Sequence, residues 1–246
     1  LLFLKYDFHN IKIVIKEVLS EADYEHLRYP FGSLFLPQVR EWISDSNKNP
    51  KESHIQQAIE KAREAYQRNQ DAQELDFILD KAYFEELVGL SKEMGSDFFV
   101  DYARHYADFT NVLAYQRFRN QDQTKNTFDQ IYIEGGFIAK EDFMNQYGKP
   151  SEDILSFLKE KSPSPLLVDA YADYVETGKL TDLELARDNF AYRLAFQGTR
   201  VLYGPEVLYG YLLRVETEIQ NLRIILSGKR AEVDTEIIRE RIRTHA

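Results

Sequence analysis

The sequence predicts an all-α chain, and three observations carry that expectation. Apolar residues recur at steps of three and four almost everywhere, the spacing of one helical face. Strict two-residue alternation is nearly absent, with Gln130-Ile131-Tyr132-Ile133-Glu134 as its one short instance beside Gly135-Gly136. Prolines and glycines punctuate the periodic runs at the places where helices start and stop.

Taken in order, the pattern predicts helices near 1–20, 36–45, 53–69, 71–94, 96–119, 139–147, 151–161, 163–177, 181–199, 205–227 and 235–243. Pro50, Pro150, Pro163, Pro165 and Pro205 fall at or just inside helix starts, where a missing N–H costs nothing. Gly95, Gly178 and Gly228 follow periodic runs, as C-terminal caps do. Phe98, Phe99, Tyr102, Tyr106, Phe109, Val112 and Leu113 mark the core face of the middle helix. Leu208, Tyr211, Leu212, Val215, Ile219, Leu222 and Leu226 read as one buried stripe on the helix after Pro205.

Composition sets limits on function. The 246 residues carry 31 basic and 41 acidic side chains, a formal charge of −10. That balance argues against non-specific nucleic-acid binding, which needs cations to replace counterions on phosphates. It argues in the same direction, more weakly, against lying on an anionic membrane. A 43% hydrophobic and 13% aromatic content suffices for a packed core. With no cysteine, disulfides, thiolate metal sites and cysteine nucleophiles are excluded. No run reaches the roughly 18 apolar residues of a membrane span. Leu1-Leu2-Phe3-Leu4 is too short for a signal peptide, and the start reads as the interior of a helix in a fragment without an initiator Met.

The most informative feature is internal similarity. Three predicted helices carry an acid, two spacers, an Asn and an apolar residue: Asp7-Phe8-His9-Asn10-Ile11, Asp108-Phe109-Thr110-Asn111-Val112 and Glu218-Ile219-Gln220-Asn221-Leu222. Acid and Asn stand three apart, so they share a face and the amide is placed to donate to the carboxylate. Basic residues follow within two turns: Lys12 and Lys16, Arg117, and Arg223. Helices at 53–69, 71–94 and 96–119 map onto 163–177, 181–199 and 205–227 with a shift of about 110 residues. A small helix is expected after Gly32-Ser33-Leu34, after Gly136-Phe137-Ile138 and after Gly228-Lys229-Arg230. The division that follows is 1–50, the C-terminal part of a first repeat, then 51–149 and 150–246 as the second and third. By the same arithmetic about fifty residues of the first copy are absent. The polar pair is either a solvated face or a partly buried contact where repeats meet; the second reading is preferred. A buried Asn deprived of its partner costs about 1–3 kcal/mol.

At these residues the sequence resembles the C subunits of bacterial and archaeal V/A-type ATPases, a family that includes the d subunit of eukaryotic V-ATPases. Tyr6-Asp7-Phe8-His9-Asn10-Ile11-Lys12 carries the likeness at the start. Tyr203-Gly204-Pro205-Glu206-Val207-Leu208 and the run from Val215 to Lys229, continuing to Ile238-Arg239-Glu240-Arg241-Ile242-Arg243, carry it at the end. The resemblance implies an all-α, pseudo-threefold, funnel-shaped protein of three helical repeats, the first incomplete. It implies a seat on the cytoplasmic face of the membrane rotor ring, receiving central-shaft subunits of the D and F type. It implies a role in torque transmission, with no catalytic residue and no cofactor.

The residues agree with a non-catalytic reading. A phosphate loop is absent, since Gly228-Lys229 is followed by Arg230 and position 223 is Arg rather than Gly. No dinucleotide fingerprint or nucleophile elbow occurs, and no pair of Glu-x-x-His helices for a di-iron centre. His26 after Asp23 stands alone, and Asp101 with His105 reads as an intrahelical polar pair. Asp7, Asn10, Asp108, Asn111, Glu218, Asn221 and Arg223 are therefore candidates for repeat seams or a cavity wall, with seams preferred. Lys229, Arg230, Arg239, Arg241 and Arg243 form a C-terminal basic cluster that either complements helix ends, with Glu236 and Glu240 as neighbours, or contacts an acidic partner. A freestanding helical-repeat scaffold binding a soluble protein is the alternative function.

Overall fold

The computed structural model describes residues 1–120, 125–198, 200 and 202–244. They contain α-helices and short turns and no strand. In chain order the helices are α1 (Leu4–Ser20), α2 (Leu36–Ser44), α3 (His54–Asn69), α4 (Ala72–Glu93), α5 (Asp97–Asn120), α6 (Lys125–Ile131), α7 (Lys140–Met144), α8 (Ser151–Lys161), α9 (Pro165–Thr177), α10 (Leu180–Gly198), α11 (Pro205–Arg230) and α12 (Thr235–Glu240). The all-α expectation holds, and the alternating segment at 130–134 pairs with no strand.

Local chemistry accounts for the ends. Ser53 and Gln56 close a reciprocal capping box at the start of α3. Asp71 caps α4 by accepting from Gln73 N, and Ser164 caps α9 by accepting from Leu167 N. Pro165 and Pro205 occupy the first turns of α9 and α11, and Gly178 ends α9 in the left-handed region at φ 69°. Gly228 departs from expectation: α11 runs through it to Arg230, and the cap position is Ala231. Helix α6 has no counterpart among the helices the sequence predicts.

The chain packs as two compact units, residues 1–95 with 130–133, and 96–129 with 134–246. In the first, α1 packs against α2, α3 and α4. Phe8, Ile11 and Ile15 of α1 are fully buried, as are Ile59 and Ala62 of α3 and Leu75 and Leu79 of α4. In the second unit α10 packs against α5, α9 and α11. Its core holds an aromatic cluster in which the Tyr115 ring lies 5.5 Å from Phe128, 5.4 Å from Phe143 and 5.6 Å from Tyr147. Edge-to-face contacts of this kind fix side-chain orientation beyond what area burial supplies.

The stripe on α11 is the main correction. Its periodicity is helical, but it is not buried: Leu222 is 57% exposed and Leu226 66%. The N-terminal end of α11 is anchored instead by Tyr209, whose ring lies 5.1 Å from Phe99 and 5.5 Å from Tyr102. Ser96 Oγ also donates to Glu206 at 2.6 Å. Amphipathic spacing reports that a helix has an apolar face; it does not report that the chain at hand covers it.

Candidate functional site

The polar pair of α1 holds the segment that returns after the helix. Asp7 accepts from Ser33 N at 2.7 Å, from Leu34 N at 3.1 Å and from Ser33 Oγ. Asn10 binds Tyr29 from both sides: its Nδ2 donates to Tyr29 O at 3.1 Å and its Oδ1 accepts from Tyr29 N at 2.9 Å. An Asn amide carries a donor and an acceptor side by side, so it satisfies both polar groups of one backbone residue, which a carboxylate cannot. Both side chains are nearly fully buried. The expected bond from Asn10 to Asp7 is therefore replaced by two separate grips on the same loop.

Farther along α1, Glu17 is also buried and accepts from Tyr24 N at 3.3 Å, from Arg28 and from Arg40 Nη2 at 2.9 Å. A buried carboxylate needs such partners to offset its desolvation. Sequence reasoning missed Glu17, whose two arginines lie far along the chain.

Asp108 on α5 repeats the first grip. It accepts from Phe137 N at 3.0 Å and Ile138 N at 3.3 Å. Arg104 completes the site, donating to Gly136 O at 3.3 Å with its guanidinium 3.9 Å from the Phe137 ring centroid. Burial pushes the Asp108 carboxyl up to about 7, against the lowering effect of the two amides and of Arg104. Gly32 and Gly136 lie so close to Asp7 Oδ1 and Asp108 Oδ1 that a Cβ at either would overlap the oxygen. Asn111 is buried beside Asp108 on α5.

Asn221 on α11 repeats the second grip. Its Nδ2 donates to Arg243 O at 3.0 Å and its Oδ1 accepts from Arg243 N at 2.9 Å, the same two-way bond that Asn10 makes with Tyr29. Glu218 is exposed. Gly228-Lys229-Arg230 lies within α11, so it is not the counterpart of the Gly32 and Gly136 loops.

Of the five basic residues near the C-terminus, Arg239 and Arg243 have acidic partners. Arg243 pairs with Asp188 at 2.8 Å in addition to the Asn221 grip, and Arg239 pairs with Glu236 at 2.7 Å. Lys229, Arg230 and Arg241 are exposed. Of the basic residues after the motif, Lys12 reaches Asp80 at 2.5 Å and Lys16 reaches Asp76 at 2.9 Å, both on α4. Arg117 pairs with Glu184 on α10. Ion pairs open to solvent contribute about 0–1 kcal/mol each. Arg223 is exposed and makes no ion pair among the described residues.

The arrangement positions loops and helices. Among the described residues no group of His, Asp and Glu is placed to hold a metal ion. His105 packs its ring 4.5 Å from Phe137 and 5.1 Å from Phe190, and burial lowers its pKa against the opposing influence of Asp101. Among the described residues no helix is long and apolar enough to cross a membrane.

The fold and its polar side chains thus define an all-helical chain in which buried residues clamp the return loops. The chain belongs to the ATP synthase (C/AC39) subunit family, whose family model matches residues 1–241. It is 22% identical over 240 residues to the C subunit of the V-type sodium ATPase of Enterococcus hirae, covering 98% of this chain and 73% of that protein. It is 25% identical to the C subunit of the A-type ATP synthase of Methanobrevibacter smithii, covering 92% of this chain and 62% of the relative. The corresponding protein of Methanococcoides burtonii is 27% identical, with 97% of this chain and 68% of the relative covered. The chain thus spans roughly two thirds of the length of these relatives.

Proposed function

We propose that the chain acts as a non-catalytic coupling subunit of a V/A-type ATPase, joining the central shaft to the membrane rotor ring during ATP-driven or ATP-synthesising ion transport. The observation that carries this reading is the family match over residues 1–241. The partners in this reading are shaft subunits of the D and F type and the rotor ring, and the place is the cytoplasmic face of the membrane, as a peripheral subunit. The three helical repeats at 1–50, 51–149 and 150–246 belong to the same proposal, as a pseudo-threefold funnel around the shaft. Torque transmission needs a body that deforms little under load, and densely packed interiors have low compressibility. The Asp7, Asn10, Asp108 and Asn221 grips add to this by tying each return loop to its helix.

The test is a pull-down of the full-length protein with purified shaft subunits and, separately, with detergent-solubilised ring. Retention of both partners is the expected result. Retention of neither overturns the reading in favour of a scaffold serving some other protein.

A further inference from the structure

Among the described residues four carboxylates are buried, those of Asp7, Glu17, Glu60 and Asp108, and they differ in what offsets their charge. Glu17 faces Arg28 and Arg40, and Glu60 faces Arg63 and Lys51. Asp7 adds the Ser33 hydroxyl to its two amides. Asp108 has the amides of Phe137 and Ile138, one on each oxygen, and no ion pair among the described residues. When the two grips are aligned on their acids and glycines, Phe137 stands where Ser33 stands, so a ring replaces the third donor.

The surrounding charges do not make up the difference. Arg104 favours the ionised form of Asp108, but less than burial opposes it. Its guanidinium is turned onto Gly136 O and the Phe137 ring. Asp101 acts on His105, while on α10 Arg187 pairs with Asp188 and Glu184 with Arg117. Lys140 of α7 pairs with Asp129, and Glu216 of α11 acts on Tyr102. A buried carboxyl so placed is more easily kept neutral than charged. Protonation removes the burial cost of the charge and leaves one oxygen a full acceptor for its amide. Solvent is close at hand, since Glu134 and Gly135 at the start of the loop are exposed. Once the loop lifts, water reaches the carboxyl and the charged form is favoured again.

We propose that Asp108 and residues 135–138 form a proton-operated latch, in which the loop closes over a protonated Asp108 and lifts as that proton passes to water. Burial, which pushes the Asp108 carboxyl up to about 7, sets the change near neutrality. The carboxyl is raised in the latched state and ordinary in the lifted one. Latching is therefore favoured as pH falls through about 7 and lost as pH rises through it. His105 also packs on Phe137, and burial lowers its pKa, so it charges only below this range. The latch is a property of this chain's own residues and is independent of the coupling role.

Hydrogen exchange at the Phe137 and Ile138 amides, corrected for the intrinsic pH dependence of exchange, reads the latch directly. The opening constant should be about fourfold larger at pH 8 than at pH 6.5. Asp108→Asn, whose side chain does not titrate, should remove that difference. The carboxyl carbon shift of Asp108 in the unaltered chain supplies a reading that needs no variant, with a midpoint expected near pH 7. A midpoint in the ordinary carboxylate range, about 4, overturns the proposal. So does an opening constant that stays level or falls as pH rises, or one that remains equally pH-dependent in Asp108→Asn.

Discussion

Replacing Gly136 by valine is expected to destabilise the protein by roughly 3 kcal/mol or more, lowering the melting temperature by about 6–12 °C. A Cβ at this position overlaps Asp108 Oδ1 and stands 3.0 Å from its Cγ and 3.5 Å from Arg104 O. Side-chain ends normally swing away at little cost, but this carboxylate is 1% exposed and fastened to the Phe137 and Ile138 amides. Moving it strands two backbone donors and a buried acid, each worth about 1–3 kcal/mol when unpaired. Gly89 supplies the contrast. It lies within α4, and a Cβ added there would meet nothing within 4 Å, so Gly89→Ala should raise stability by about 0.5–1 kcal/mol. Thermal unfolding of the two variants beside the parent checks both signs. A Gly136→Val protein that melts with the parent would mean the Asp108 grip is not formed.

Asn10→Leu is the second large effect, expected at about 2–4 kcal/mol. Leucine preserves the volume but removes the donor and acceptor that satisfy Tyr29, leaving its N–H and C=O without their part-buried partner. Asn10→Asp is no rescue, because it keeps the acceptor, loses the donor and aims a charge at Tyr29 O. The homologous Asn221→Leu should cost less, about 1–2 kcal/mol, since Asn221 is half-buried and Arg243 retains its Asp188 pair. Amide exchange at Tyr29 distinguishes loss of the grip from general loosening. In Asn10→Leu it should accelerate well beyond exchange in α3, and an unchanged melting temperature would contradict the clamp.

The sequence is most informative where one physical signal acts alone. Helix positions follow from periodicity, and ends from Gly178, Pro165 and Pro205, because capping is chemistry of adjacent residues. Helix α6 is not legible because Lys125–Ile131 holds only Phe128 and Ile131 as apolar residues, too few to make a stripe. The shared face of Asp7 and Asn10 is legible from their spacing. Their partners are not, since they lie 19 to 27 residues farther on and, the Ser33 hydroxyl apart, are backbone groups without a sequence signature. Gly32 and Gly136 do leave a trace, as a glycine just before each pair of residues whose amides the acid holds. The open face of α11 marks the opposite limit: Leu222 and Leu226 have the spacing of core residues, and only the folded arrangement reveals that they lack a cover.

The proposed coupling role meets its most direct test in a V/A-type ATPase reconstituted into vesicles with and without the full-length protein, with ATP hydrolysis and ion uptake measured in the same preparation. The account predicts that omission leaves the catalytic head hydrolysing ATP while ATP-driven ion uptake disappears, and that adding the protein back restores uptake. Ion uptake that continues undiminished without it would contradict the account, as would an isolated head that needs this chain to hydrolyse ATP.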